Sequence, residues 1–286
     1  MKAVNGCLRH NTTMATIKEH EANRRYWDAT ASAWRELRDE DQFWHRCVAE
    51  PALAFEGGTW ELLQDFMGDV RGKAVCVLGC GDGLAAFALA ALGASVTATD
   101  ISERQLEVAA ARANHLQLPI SFQRVDAVEL ATLGEAQFDL ACSTNGFFVW
   151  IAQPQQVFSA VQATLKPGGY YIGYDVHPFQ RPWKDQVTPL EMEKPYTAIG
   201  PHQVTGSTGT TYRYHWTVGD LVNALTRTGL VLRWILESPA RDACFWSGPS
   251  YMPGNDETLT DWHINPRAGL PVWLTLAGMK PLNTGL

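Results

Sequence analysis

The sequence lacks a long apolar run. It contains no stretch of about 18 consecutive apolar residues, the shortest length typical of a membrane-spanning helix. Its N-terminus, Met1 to Arg25, is polar and lacks the apolar segment of a secretory signal. These two absences argue against a membrane protein or a secreted one. We therefore expect a cytoplasmic protein without a membrane partner.

Paired cysteines are lacking too. The six cysteines include no C-x-x-C pair and follow no regular spacing, so they indicate neither a zinc finger nor a disulfide framework. We expect reduced thiols and no bound metal. Asp175 and His177, with His215 further along, are an alternative set of metal ligands, but only one spacing supports it.

Basic residues are scarce relative to acidic ones. The sequence has 23 Lys and Arg against 30 Asp and Glu, which gives a net charge of −7. A protein that binds a phosphate backbone needs the opposite balance, so we expect no nucleic-acid partner. Low-complexity linkers and internal repeats are absent as well. With 286 residues and 46% hydrophobic content, the chain can bury a substantial core, and we predict a single domain overall.

The most informative segment that is present joins a strand to a glycine-rich turn. Residues 75–83 read Val-Cys-Val-Leu-Gly-Cys-Gly-Asp-Gly, with glycines at 79, 81 and 83. Glycine adopts positive φ easily and has no Cβ, so a ligand can lie directly against the backbone of such a turn. The Ala- and Leu-rich stretch from Leu84 to Leu92 is predicted to be the helix that this turn opens.

A second strand ends on an acidic residue. The apolar run from Ala94 finishes at Asp100, about 20 residues past the first glycine, where a carboxylate can reach a ribose. Both nicotinamide dinucleotides and S-adenosylmethionine contain a ribose diol. From Gly79 the glycines read G-x-G-x-G, with Leu84 where a dinucleotide fingerprint has glycine. Gly81 to Ala86 fit only a loose G-x-G-x-x-A, so an NAD(P)-dependent oxidoreductase remains an alternative.

Three further segments follow in order. A strand from Ile120 ends in Asp126-Ala127, residues 138–146 read Phe-Asp-Leu-Ala-Cys-Ser-Thr-Asn-Gly, and residues 165–170 read Leu-Lys-Pro-Gly-Gly-Tyr. Over roughly residues 70–175 the chain resembles the class I S-adenosylmethionine-dependent methyltransferases. These segments resemble that family's adenine-side acid, its fourth strand and the turn before its fifth strand. Residues 143–147 differ from the Asn/Asp-Pro-Pro-Tyr box of members that act on base amines, which again argues against nucleic acid.

The resemblance implies an α/β fold: a Rossmann-like, doubly wound, seven-stranded and mostly parallel sheet with an antiparallel last strand. We predict an N-terminal helical lid over residues 1–68. The core then spans 69–286, with substrate-covering insertions near 177–216 and 240–268. The predicted strands lie near 74–79, 95–100, 120–125, 138–143, 169–176, 230–237 and 271–279.

The resemblance also implies how S-adenosyl-L-methionine is bound, with S-adenosyl-L-homocysteine as the product. Asp100 would accept from the ribose hydroxyls and Asp126 would face the adenine amine. The N-terminus of the helix that begins near Gly83 would suit the methionine carboxylate. The alternative for both aspartates is a helix cap or turn, common after a strand. The predicted cofactor-binding residues are Tyr26, Trp34, Gly79, Cys80, Gly81, Gly83, Asp100, Ile101, Asp126, Ala127, Thr144 and Asn145.

Residues 18–50 are charged and aromatic and are predicted to form two helices. Residues 26–34, Tyr-Trp-Asp-Ala-Thr-Ala-Ser-Ala-Trp, resemble a lid of small-molecule members in which aromatic side chains close over the methionine end of the cofactor. The alternative is an amphipathic helix whose aromatic residues only pack on the core.

Two histidines are candidate general bases. His177 follows the fifth predicted strand, at the edge where open α/β sheets bind ligands, and an imidazole titrates near neutral pH. The alternative is a hydrogen-bonded turn residue. His215 is the second candidate, within an aromatic stretch that resembles a strand edge. Thr217 is predicted to cap a helix rather than to act in catalysis.

Aromatic residues are abundant after the fifth strand. The sequence has 11 tryptophans, and residues 177–216 and 244–263 are longer than simple connections. We predict that both segments cover a pocket for a small apolar or aromatic acceptor, methylated on O or N. We expect a monomer or homodimer. A catalytically silent module that binds S-adenosylmethionine is a further alternative.

Overall fold

The computed structural model describes residues 14–184, 189–247 and 256–282. The described chain forms one seven-stranded sheet covered by helices and one small hairpin. Its strands are β1 Ala74–Leu78, β2 Ser95–Asp100, β3 Ile120–Arg124, β4 Phe138–Ser143, β5 Leu165–Val176, β6 His202–Gly206, β7 Gly209–Arg213, β8 Val231–Ser238 and β9 Trp273–Met279. Its α-helices are α1 Met14–Asp41, α2 Phe43–Ala49, α3 Thr59–Met67, α4 Leu84–Ala91, α5 Glu103–His115, α6 Pro154–Thr164, α7 Val218–Thr226 and α8 Cys244–Ser247.

The order of strands in the large sheet is β3-β2-β1-β4-β5-β9-β8. Neighbouring strands pair in parallel from β3 to β5, whereas β9 is antiparallel to both β5 and β8. The predicted Rossmann-like fold with an antiparallel last strand is therefore confirmed. The order reverses between β1 and β4, and the crevice at the carboxyl ends of these two strands is where such folds bind ligands.

Helices cover both faces of the sheet, which explains why its central strands are apolar throughout. Along β1, Val75 and Val77 pack into the cluster formed with α2, α3 and α4, while Cys76 and Leu78 pack into the cluster formed with α6 and α7. The alternation places successive side chains in two separate cores. Of the six cysteines, the five in the described residues are free thiols, and Cys7 lies outside those residues.

The two helices predicted over residues 18–50 are α1 and α2. None of the helices in the described residues is long and apolar enough to cross a membrane. Thr217 caps α7: its hydroxyl accepts from the Asp220 N–H, and the Asp220 carboxylate accepts from the Thr217 N–H. The prediction of Thr217 as a helix cap is confirmed.

The hairpin of β6 and β7 was not predicted as a pair of strands. Its residues are mostly polar and β6 is largely exposed, so the hydrophobic alternation that marks a half-buried strand is absent. The hairpin is held against α1 by Asn23, whose side-chain amide donates to the Tyr212 carbonyl and accepts from the Tyr212 N–H, both at 2.8 Å. The carboxyl ends of the central strands are thereby enclosed between α1 and the hairpin.

Candidate active site

A cleft of about 470 Å³ lies at the carboxyl ends of β1, β2 and β4, beneath α1. Every predicted cofactor residue except Gly83 lines it, and so does one of the two predicted bases. These lining residues are Tyr26, Trp34, Gly79, Cys80, Gly81, Asp100, Ile101, Asp126, Ala127, Thr144, Asn145 and His215. The fold thus brings together segments that lie far apart in the sequence.

The glycine turn after β1 has three residues with positive φ, but they serve different purposes. A Cβ on Gly79 would lie 2.6 Å from the Phe147 ring, and a Cβ on Gly83 would lie 2.4 Å from the Phe87 ring. A Cβ on Gly81 would meet nothing within 4 Å. Gly79 and Gly83 are therefore required by internal packing, whereas Gly81 leaves open space on the cleft side of the turn.

Asp100 ends β2 and is buried beside this turn. One carboxylate oxygen accepts from the Gly81 N–H at 2.9 Å and the other accepts from the Ser102 N–H at 2.8 Å. Burial raises the pKa of Asp100 to about 6, against the opposing effect of these N–H donors, and the charge of Asp28 adds to the rise. Each carboxylate oxygen keeps a lone pair for a further donor.

Asp126 faces the cleft from the end of β3. One of its oxygens accepts from the Val128 N–H at 3.2 Å, as in a helix cap. The other lies 2.7 Å from Nδ1 of His20, while Nε2 of His20 accepts from the Ala152 N–H at 3.3 Å. Because Nε2 is the acceptor, Nδ1 carries the hydrogen and donates to Asp126. His20 thus connects α1 to the acid on the predicted adenine side.

The turn itself is anchored through Asp82. The Asp82 carboxylate lies 3.1 Å from a guanidinium nitrogen of Arg112 on α5 and 3.4 Å from one of Arg38 on α1. Both arginines are buried, so these pairs are shielded from solvent. A further tie between α1 and α5 comes from Ser102, whose hydroxyl donates to Asp28 at 2.7 Å.

Aromatic side chains of α1 form one wall of the cleft. Tyr26 stacks on Trp150 with ring centroids 5.6 Å apart, and Trp27 meets the same ring edge-on at 5.1 Å. Trp34 lies beyond Trp27, with ring centroids 6.3 Å apart. These side chains line the cleft, as the predicted lid requires. They also pack on each other, as the packing alternative requires, so the same contacts fit both.

The two predicted bases have different surroundings. His177 is fully buried and does not line the cleft. Its Nε2 lies 2.8 Å from the Glu237 carboxylate and its Nδ1 accepts from the Phe179 N–H at 3.1 Å, which are the contacts of a turn residue. Burial lowers the pKa of His177, and Glu237 opposes that effect. Its role as a base stays a prediction.

His215 follows β7 and lines the cleft. Its Nδ1 is buried and has no hydrogen-bond partner among the described residues. Burial lowers its pKa to about 3, and the positive charges of Lys194 and Arg181 add to that effect, followed by His202 and Arg213. The imidazole is therefore neutral at physiological pH and offers a lone pair or an N–H toward a ligand.

Comparison with known proteins agrees with this geometry. Residues 75–169 match the family model described as a methyltransferase domain. This match covers about a third of the chain and agrees with the resemblance to the class I S-adenosylmethionine-dependent methyltransferases. The family predicted from the sequence is confirmed, and with it the cofactor, S-adenosylmethionine.

Curated relatives of this chain include ubiquinone biosynthesis O-methyltransferases. The one from Alkalilimnicola ehrlichii is 27% identical over 162 residues, covering 57% of this chain and 61% of the relative. The one from Bordetella avium is 28% identical over 161 residues, covering 56% and 63%. The matched region thus spans about three fifths of the length of these relatives. A solved S-adenosylmethionine-dependent methyltransferase from Mesorhizobium loti has a TM-score of 0.56 at 22% identity, covering 78% of this chain and 97% of that one, which shows a shared fold.

Some residues that line the cleft were not predicted from the sequence. His20 and Asn23 line the cleft from α1, three residues apart and in helical spacing with Trp27, a pattern that identifies them as one helix face. Arg181 and Arg213 line it near His215, and no local motif marks them.

The later predicted insertion contributes less than expected. Of the segment near 240–268, none of the described residues lines the cleft, and residues 248–255 lie outside them. Trp150 lines the cleft, whereas Trp183, Trp216 and Trp246 do not. Among the described residues, no group of three or more His, Cys, Asp and Glu side chains is placed to hold a metal ion.

Proposed function

We propose that the protein transfers the methyl group of S-adenosylmethionine to an oxygen or nitrogen atom of a small, apolar or aromatic molecule. The observation that carries the proposal is the single cleft in which the glycine turn, Asp100 and Asp126 meet an aromatic wall around Trp150. The name of the curated relatives, O-methyltransferase, favours oxygen as the acceptor atom.

The residues of the turn fit the adenosyl part of the cofactor. The open space beside Gly81 admits a ligand against the backbone, and Asp100 keeps lone pairs for ribose hydroxyls at the buried end of β2. Asp126 accepts the hydrogen of His20 and retains acceptor capacity for the adenine amine. In this proposal the carbonyls around Thr144 and Asn145, which line the cleft, take the methionine ammonium.

Alignment supplies most of the catalysis in this proposal. Bound S-adenosylmethionine supplies a methyl group on a positively charged sulfur, which leaves without needing a proton. The task of the chain is to hold the acceptor in line with that methyl group and to exclude water. Correct positioning of two reactants can contribute on the order of 7–11 kcal/mol to the lowering of a barrier.

His215 has a positioning role in this proposal. Since burial and neighbouring cations keep its imidazole neutral, a ring nitrogen can accept the hydrogen of an acceptor hydroxyl and orient the oxygen. A group whose pKa is about 3 is a weak base at neutral pH. His215 therefore orients the nucleophile more than it deprotonates it.

The test is methyl transfer itself. The purified chain is incubated with S-adenosylmethionine and a panel of phenols, catechols and aromatic amines, and release of S-adenosylhomocysteine is measured. We expect release that depends on an acceptor and is lost in Asp100→Ala but kept in the exposed control Asp65→Ala. Binding of the cofactor without turnover on any acceptor would favour the silent module instead.

The domain organisation belongs to the same proposal. Residues 1–68 act as a lid over the cofactor, residues 69–286 form the core, and the insertion near 177–216 covers the acceptor. The contacts of His20 with Asp126 and of Asn23 with Tyr212 support the lid, because they join α1 to the core and to the hairpin.

A further inference from the structure

Two guanidinium groups stand at the end of the cleft nearest β5 and the hairpin. Arg181 follows the short turn after β5, and Arg213 is the last residue of β7. Both line the cleft together with His215. They come from separate elements, so the folded chain brings them to one place.

Arg213 has no carboxylate partner in the part of the chain that the structure describes. Among the described residues, no Asp or Glu oxygen lies within 4.0 Å of its guanidinium, and its Nε is buried without a hydrogen bond. Its guanidinium carbon lies over the face of Trp150, 5.3 Å from the ring centroid. A buried donor left unpaired is unfavourable, and a hydrogen-bond acceptor on a ligand would satisfy it.

Arg181 has a weak partner. It lies 3.7 Å from one oxygen of Asp175. That carboxylate already accepts from the N–H groups of Gly146, Phe148 and Val176 at 3.0, 2.7 and 2.7 Å. The Asp175 carboxylate is therefore hydrogen-bonded mainly to backbone N–H groups. It compensates the positive charge of Arg181 only weakly.

The surroundings of the two arginines are positive, in a chain whose net charge is −7. Burial lowers the pKa of Arg181, Asp175 opposes that effect, and Arg213 and Arg267 add to it. Burial also lowers the pKa of Lys194, where Glu193 opposes and Arg181 and Arg213 add. Burial and the neighbouring cations both disfavour these positive charges, and a negatively charged ligand would oppose that effect.

We propose that the methyl acceptor carries an anionic group, a carboxylate or a phosphate, that binds between Arg181 and Arg213. The aromatic or apolar part of the acceptor then lies against Trp150 and Tyr26. This inference rests on the proposed function and names the substrate class of the same site. Guanidinium groups suit the task because their planar N–H donors match both anions.

The competing ligand for these arginines is the carboxylate of the cofactor itself. The sheet order separates the two sites, because Arg181 pairs with Asp175 on β5, one strand beyond β4 from the glycine turn on β1. Near the turn, Arg38 and Arg112 are engaged by Asp82. Arg181 and Arg213 are therefore assigned to the acceptor.

Calorimetry with simple probes tests the assignment. Protein saturated with S-adenosylhomocysteine is titrated with benzoate, phenyl phosphate and the neutral benzamide. We expect one or both anions to bind at least about tenfold more tightly than benzamide, since hydrogen bonds between charged groups are stronger than those to a neutral amide. Whichever anion binds more tightly identifies the group as carboxylate or phosphate.

Substitutions assign the effect to the arginines. Arg213→Gln is expected to weaken anion binding about tenfold or more while the affinity for S-adenosylhomocysteine stays within about twofold. Arg213→Lys keeps the positive charge but lacks the planar guanidinium. Its anion affinity is expected to lie between those of the unmodified chain and Arg213→Gln. Arg233→Gln removes an exposed arginine on β8 and serves as the matched control. Unfolding curves verify that each variant is folded.

Two results would overturn the inference. Equal affinity for benzoate, phenyl phosphate and benzamide would show that negative charge is not recognised. Weaker S-adenosylhomocysteine binding by Arg213→Gln, with unchanged anion binding, would assign the guanidinium to the cofactor. Failure of the unmodified chain to bind S-adenosylhomocysteine would instead count against the proposed function. Titration of the two anions in the absence of S-adenosylhomocysteine would still test the arginines.

Discussion

Replacing Asp100 by asparagine separates the stability of the fold from its ability to bind a ribose. Asp100 is 8% exposed, and burial raises its pKa from 3.8 to about 6. A difference of about two pKa units corresponds to about 3 kcal/mol that the folded chain gives up to keep this carboxylate ionised at neutral pH. Asparagine avoids that cost, although its single carbonyl oxygen cannot serve both N–H donors.

The two proteins should therefore respond differently to pH. Because the pKa of Asp100 is higher in the folded state, the folded chain binds the proton more tightly, and its free energy of unfolding decreases as pH rises from about 4 to about 6. From pH 5 to pH 7.5, we expect the unmodified chain to lose about 1 kcal/mol of unfolding free energy relative to Asp100→Asn.

Urea unfolding at pH 5 and pH 7.5, followed by circular dichroism without ligand, measures this difference. The exposed control Asp65→Asn should follow the unmodified chain at both values. The reasoning would be refuted if the unmodified chain and Asp100→Asn differed in unfolding free energy by the same amount at both pH values. That result would show that the Asp100 carboxylate is not held in a desolvating site. At pH 7.5, Asp100→Asn should bind S-adenosylhomocysteine at least about tenfold more weakly.

Three further predictions follow from single contacts. Gly81→Ala should fold, since nothing lies within 4 Å of the added Cβ. Calorimetry should nevertheless show at least about tenfold weaker binding of S-adenosylhomocysteine. The control Gly72→Ala, also at positive φ with open space, should bind S-adenosylhomocysteine normally. His215→Gln should lower kcat about tenfold or more with an unchanged cofactor Kd, and an unchanged kcat would remove His215 from the acceptor site. Asn23→Ala should lower the free energy of unfolding by about 2–6 kcal/mol, because it leaves two backbone groups of the hairpin unpaired, whereas exposed Asn114→Ala should have little effect in the same urea titration.

The sequence predicts the central strands of the sheet well because these strands are buried on both faces. Residues 75–78 and 138–143 are short runs of apolar residues bounded by turns, and each forms a central strand close to its predicted bounds. The hairpin at 202–213 was missed for the converse reason. Its stability comes from contacts with α1 rather than from an apolar face of its own.

The site could be predicted only where its residues follow a strand. Gly81, Asp100 and Asp126 lie at strand ends, where the chain order and the sheet topology together place them at one edge. His20 and Arg213 reach the cleft through a helix and a hairpin that pack over that edge. Residue 20 meets residue 126 through tertiary packing, and no local pattern in the sequence encodes such a contact.

Calorimetry of the purified chain with S-adenosylmethionine, S-adenosylhomocysteine, NADH and NADPH, after removal of any copurified ligand, tests the central assignment most directly. We predict micromolar binding of the two adenosyl sulfur compounds and no binding of the two nicotinamide dinucleotides. Binding of NADH or NADPH in place of the adenosyl compounds would contradict the assignment of the glycine turn, Asp100 and Asp126 to S-adenosylmethionine.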